Sequence, residues 1–137
     1  KDWSIEKYSE LFKNDYFKNY TLIFTGISKD IPNVEKFYKL INDPSLNIIN
    51  LLDWGNLRHM IPIFYQCKSF VGSDSGLMHL AASTKCKTFA LFGPTNEIVY
   101  GPWGDHKVIE SFEYPAINDP LNLPDEKVLN IIKKEIE

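Results

Sequence analysis

The chain has 137 residues, of which 44% are hydrophobic and 24% charged, and a formal net charge of −3. That is about one domain's length with enough apolar residues for a core, and it contains neither an apolar run long enough to span a bilayer nor a signal-peptide pattern. Its lysines are spread out instead of forming the basic stripe that grips nucleic-acid phosphates, so nucleic acid is not an expected partner.

Ile5, Tyr8, Leu11 and Phe12 recur at helical spacing, with Ser4 as N-cap. TLIFTG (21–26) reads as a buried strand ending at glycine. Val34, Phe37, Leu40 and Ile41 give a second helix, closed by Asn42-Asp43-Pro44, and NIINLL (47–52) a second strand. Leu57, Met60, Ile61 and Phe64 predict a third helix in which Pro62 marks either a kink or a first turn. SFVGS (69–73) is the third strand, residues 75–84 the next helix, KTFALFG (87–93) the fourth strand and HKVIE (106–110) a short fifth. Pro124, Asp125 and Glu126 open a last helix whose apolar face is Val128, Ile131 and Ile132.

Strands alternate with helices almost throughout. This predicts an α/β fold, a Rossmann-like doubly wound parallel sheet with right-handed crossovers and ligands beyond the strand C-termini. Residues 1–137 are read as a single domain. The chain starts at Lys1 without an initiator Met and goes straight into a helix pattern, so it is expected to be a piece of something longer.

Metal chemistry finds no support in the pattern. Cys67 and Cys86 lack C-x-x-C spacing and a nearby histidine, and are expected to be reduced core residues. His59, His79 and His106 are scattered, and no Asp is followed two positions later by another.

The segment FVGSDSGLMHLAAS (70–83) passes from strand to helix through a small polar junction, Gly72 to Gly76. At a strand C-terminus and a helix N-terminus, the N–H groups of Ser75, Gly76 and Leu77 would face a ligand, and a phosphate would fit there. His79, four residues after Ser75, would share the helix face; Asp74, repelled by phosphate, better suits sugar hydroxyls or backbone N–H groups. The same residues also suit a plain helix start, with Asp74 as cap and His79 structural. LFGPTNE (91–97) and YGPWGDH (100–106) add shaped loops at the next strand ends, where Thr95 could contribute a hydroxyl. Trp54 and Trp103 fall in loops, and Trp103 is the better candidate for lining a cleft.

Taken together, DSGLMHLAA (74–82), LFGPT (91–95), GP (101–102), the opening KDW and the ending LPDEKVLNII resemble the C-terminal half of glycosyltransferase family 9, the lipopolysaccharide heptosyltransferases. The resemblance covers essentially the whole chain. It implies a GT-B architecture in which this chain is the donor-binding domain, the donor being a nucleotide sugar, typically ADP-heptose. Ser75 and Gly76 would receive the diphosphate, Asp74 would meet the sugar, His79 would line the site and Lys1 would contact phosphate, with Thr95 carried over from its matching motif. The implied chemistry is inverting transfer to a lipid-linked or oligosaccharide acceptor, with no metal or other cofactor. The catalytic base would lie in an N-terminal domain and one strand would precede the Lys-x-Trp segment, so this chain alone would be inactive. The implied location is cytoplasmic, with the full protein able to associate with the inner face of the cytoplasmic membrane.

One departure from the family pattern bears on the nucleotide. TGISKD (25–30) lacks a second glycine and the acidic residue that would hold a ribose, for which Asp30 is the nearest substitute. Two other functions use the same residues. Gly72-Ser73-Asp74-Ser75-Gly76 fits a G-x-D-x-G nucleophile elbow of an α/β-hydrolase with Asp74 as nucleophile and His106 as its downstream histidine. The chain could also belong to a nucleotide-sugar-binding protein without transferase activity. A dinucleotide oxidoreductase is disfavoured because no G-x-G-x-x-G follows a predicted strand.

Overall fold

The computed structural model describes residues 3–73, 76–92, 106–110 and 124–136. They divide into two compact units, one spanning Ser4–Trp54 and the other built from Gly55 onward together with the first residues of the chain.

In the first unit, α1 (Ile5–Phe12) starts where the Ser4 side chain accepts the Lys7 backbone N–H at 3.3 Å. A helical turn at Asp15–Phe17 leads into β1 (Thr21–Gly26), α2 (Ile31–Ile41) and β2 (Asn47–Leu52). The two strands pair in parallel from Thr21 opposite Asn47 to Gly26 opposite Leu52, a geometry that requires the α2 crossover. The side-chain amide of Asn47 donates to Thr21 Oγ1 at 2.8 Å, pinning the start of that register.

Aromatic rings fill the core of this unit. Phe37 of α2 is 1% exposed and meets Phe24 of β1 edge-on at 4.8 Å, and Phe12 of α1 meets Phe17 likewise at 4.8 Å. Ser9 is buried without penalty because its hydroxyl donates to the Ile5 carbonyl at 2.8 Å. Helix α2 stops at Asn42, which adopts the left-handed conformation (φ 45°) and donates its N–H to the Tyr38 carbonyl. Asp43 then accepts both the hydroxyl and the N–H of Ser45, which lower its carboxyl from the ordinary value.

In the second unit, α3 (Leu57–Gln66) precedes β3 (Ser69–Ser73), α4 (Gly76–Ala82), β4 (Lys87–Phe92), β5 (His106–Glu110) and α5 (Asp125–Ile136). The strands form a parallel sheet in the order β3-β4-β5. Central β4 explains its own sequence, since Thr88, Phe89, Ala90 and Leu91 are all at most 1% exposed. A strand covered on both faces needs a continuous apolar run, not an alternating one. The polar residue of this buried stretch, Thr88, donates to the Cys86 carbonyl at 3.2 Å. On α5, Val128 and Ile132 are buried one turn apart, and Lys87 at the start of β4 reaches Glu135 at 3.6 Å.

Pro62 lies inside α3, neither in its first turn nor ending it. The missing N–H deprives the Arg58 carbonyl of its helical partner, but Pro62 and Arg58 are both exposed, so water can take its place. Among the described residues, the strands pair into two parallel sheets rather than the one continuous sheet that the alternation predicts. Alternation requires parallel neighbours and crossovers; it does not require every successive pair of strands to exchange hydrogen bonds.

Candidate functional site

The junction between β3 and α4 contains two glycines with different reasons to be glycine. Gly72 is buried, and a Cβ added there would lie 2.7 Å from the Phe70 ring. That ring packs against the Met78–Ala90 core and meets Phe64 edge-on at 5.8 Å, so it cannot yield freely. Gly72 is therefore a packing requirement of the fold.

Gly76 opens α4, is exposed, and would bring an added Cβ within 4 Å of no atom of the described residues. It also lies outside the set of residues with positive φ among those described. Among the described residues, neither packing nor backbone conformation asks for glycine at this position. A backbone left bare at a helix start, with no internal reason for it, is open to close approach from outside.

His79 stands one turn further along α4 and is half-buried, while Met78, Ala81 and Ala82 are buried in the core. Gly76 and His79 therefore share one helix face. The far end of the helix is closed by hydroxyls, Ser83 donating to Leu80 O and Thr84 to Ala81 O, each at 2.7 Å. Lys1, Asp74, Ser75 and Thr95 lie outside the described residues, as do Trp103 and the Gly-Pro turn at 101–102. Among the described residues, no group of three or more His, Cys, Asp or Glu side chains is placed to hold a metal ion.

The strand ends of the first unit are tied together by the Asp53 N–H, which donates to the Gly26 carbonyl at 3.0 Å. Asp30, the candidate ribose partner, places Oδ2 3.0 Å from the Ile27 N–H that it accepts. The same oxygen lies over Gly26 (φ 150°), where a Cβ would come within 2.6 Å of it. That carboxylate oxygen is therefore engaged in holding the turn after β1.

The pattern reading did not anticipate the start of α3. Asn56 Oδ1 accepts the N–H groups of Arg58 and His59 at 2.9 and 3.3 Å, and His59 Nδ1 accepts the Asn56 N–H at 3.0 Å. This is a capping box with histidine where glutamate or glutamine is usual, which explains why the motif does not announce itself. Cys67 and Cys86 are both free thiols, Cys86 fully buried. Burial, reinforced by the nearby Cys67, pushes the Cys86 thiol up to about 12, and burial also raises that of Cys67.

Residues 1–120 match the family model for glycosyltransferase family 9 (heptosyltransferase). The chain belongs to glycosyltransferase family 9. It is 29% identical over 110 residues to lipooligosaccharide heptosyltransferase 2 of Haemophilus influenzae, an alignment covering 80% of this chain and 32% of that protein. Among solved structures, a family 9 glycosyltransferase from Veillonella parvula superposes with a TM-score of 0.83 at 22% identity, over 98% of this chain and 41% of that one. The E. coli ADP-heptose lipopolysaccharide heptosyltransferase II gives a TM-score of 0.80 at 24% identity, over the same shares. At such identities the superpositions establish the α/β fold that this family 9 chain shares with them. The chain spans about a third of the length of the curated relatives it matches.

Proposed function

We propose that this family 9 chain is the donor-binding domain, the C-terminal half of a GT-B glycosyltransferase, and that it takes a nucleotide sugar for transfer in lipopolysaccharide core assembly. Family membership carries this reading, and the exposed, conformationally unconstrained Gly76 supports the position of the donor. In this reading ADP-heptose is the donor, as the name of the E. coli structural neighbour suggests. Its diphosphate lies against the backbone N–H groups of Ser75 and Gly76, Lys1 adds a cation, and His79 and Thr95 line the same pocket. Asp74 accepts hydrogen bonds from the sugar.

The chemistry follows from where charge develops. When an acceptor hydroxyl attacks the anomeric carbon, the bond to the diphosphate breaks and negative charge accumulates on the leaving oxygen. N–H donors and a lysine fixed beside that oxygen stabilise the transition state more than the bound donor, which is the condition for catalysis. The surface for the acceptor, lipid-linked or oligosaccharide, and the base that deprotonates it belong in this reading to the remainder of the full-length protein. The hydrolase alternative loses its motivation with the family assignment.

Calorimetric titration of the full-length protein with ADP, UDP, GDP and ADP-heptose tests the proposal, repeated with Ser75→Pro, which deletes one backbone donor. Selective binding of the adenine nucleotides that Ser75→Pro weakens is the expected result. A folded protein that binds none of them overturns it.

A further inference from the structure

One aromatic ring sits where β3 and α4 meet. Positions 70 and 72 face the same side of β3, being two residues apart. Gly72 pairs with Ala90 of β4, and these two small residues leave room for the Phe70 ring. Ring atoms Cε1 and Cζ come within 2.7 and 2.8 Å of where a Cβ on Gly72 would lie, so the ring leans along the strand toward its C-terminal end. The same ring packs on Met78 of α4 and on Ala90, both fully buried, and meets Phe64 of α3 edge-on at 5.8 Å. It thus touches three elements besides its own strand.

The half-buried Phe70 is placed as a wedge between β3 and α4. Close-packed side chains transmit a displacement instead of absorbing it, so the size and tilt of this ring fix how α4 stands against the strand. The connection is short, since β3 ends at Ser73 and α4 begins at Gly76. Backbone donors on so short a link, and on the first residue of the helix, are aimed by the two elements that hold them. A binding constellation has to be held to within about 0.5 Å, which a shift of α4 by a fraction of a ring's thickness exceeds.

We propose, resting on the donor-binding reading above, that Phe70 is a positioning residue for the donor diphosphate. Its ring, seated over Gly72 and against Met78, sets the angle at which α4 leaves β3 and thereby aims the backbone N–H groups of Ser75 and Gly76. Phe70 acts through that backbone and not by touching the donor.

The test is titration of the full-length protein with ADP by calorimetry and with adenosine by ligand-observed NMR, alongside thermal unfolding of each variant. Phe70→Leu trims the ring but keeps an apolar side chain. It should raise Kd for ADP roughly tenfold, as for one misaligned hydrogen bond to a charged group, and leave Kd for adenosine unchanged, because adenosine has no phosphate to misplace. Gly72→Ala, which drives a methyl into the ring, should do the same, and supplies a second perturbation if Phe70→Leu folds poorly. In the double variant the methyl takes up part of the volume that the ring gave up, so Kd for ADP should rise by less than the product of the two single effects. A folded wild-type protein that binds no ADP overturns the donor reading and this proposal with it. Wild-type ADP binding that both single variants preserve, whatever their Tm, overturns this proposal alone and leaves the ring a purely structural role. Equal weakening of ADP and adenosine, or single effects that simply multiply, would overturn it as well.

Discussion

Replacing Gly76 by alanine separates a backbone kept bare for a ligand from a residue that merely begins a helix. Among the described residues the added methyl meets no atom within 4 Å, so they raise no steric objection to it. Alanine is favoured over glycine by up to about 1 kcal/mol within a helix, and less at its first residue, so stability should be unchanged or slightly raised. Binding should respond in the opposite direction. A methyl between the backbone and a phosphate oxygen displaces a hydrogen bond to a charged group, worth about 1.5–3 kcal/mol. At about 1.4 kcal/mol per decade, this is a roughly ten- to hundredfold rise in Kd. Calorimetric titration of the full-length protein with ADP, alongside thermal unfolding of the same variant, reads both quantities. An unchanged Kd at unchanged Tm would refute the reasoning, since the glycine would then serve neither ligand nor fold. A fall in Tm would refute it differently, by showing that the fold needs the glycine after all.

Other outcomes follow from the packing. Asn56→Ala removes the acceptor for two backbone N–H groups at the start of α3 and should cost about 1 kcal/mol in urea unfolding. Phe37→Ala, at a ring 1% exposed between α2 and β1, should cost about 3–5 kcal/mol by the same measurement. Gly72→Ala forces Cβ against the Phe70 ring and should cost about 1–3 kcal/mol, in contrast to Gly76→Ala. Because burial raises Cys86 from an ordinary 9.0 to about 12, the unfolded chain loses this proton first as pH rises. Its contribution to stability is therefore fully present below pH 9.0 and declines up to about pH 12, by roughly 1 kcal/mol at pH 10. Cys86→Ala should flatten the alkaline fall in urea stability by that amount; identical pH profiles would contradict it.

Local chemistry determined most of the element map. Ser4 as a cap, Asn42 as a left-handed stop and the unbroken apolar run of β4 are decided by residues within a few positions of each other. The sequence is also where the family motif lies, since the order and spacing of DSG, LFGPT and GP survive without any coordinates. Other features depend on contacts between distant residues, which periodicity does not encode. The pattern could not say whether Pro62 kinked α3 or marked its first turn; it lies inside the helix, where both Pro62 and Arg58 are exposed to water. It could not distinguish Gly72 from Gly76, which look alike in GSDSG: one is held by the ring of Phe70, the other meets none of the described residues. It offered Asp30 for a ribose without showing that one of its carboxylate oxygens also holds the turn after β1. It grouped Leu57, Met60, Ile61 and Phe64 at helical spacing without revealing that α3 buries Met60 and Phe64 and leaves Leu57 and Ile61 exposed. Spacing tells which residues share a helix face, but only packing against other elements decides which face is buried.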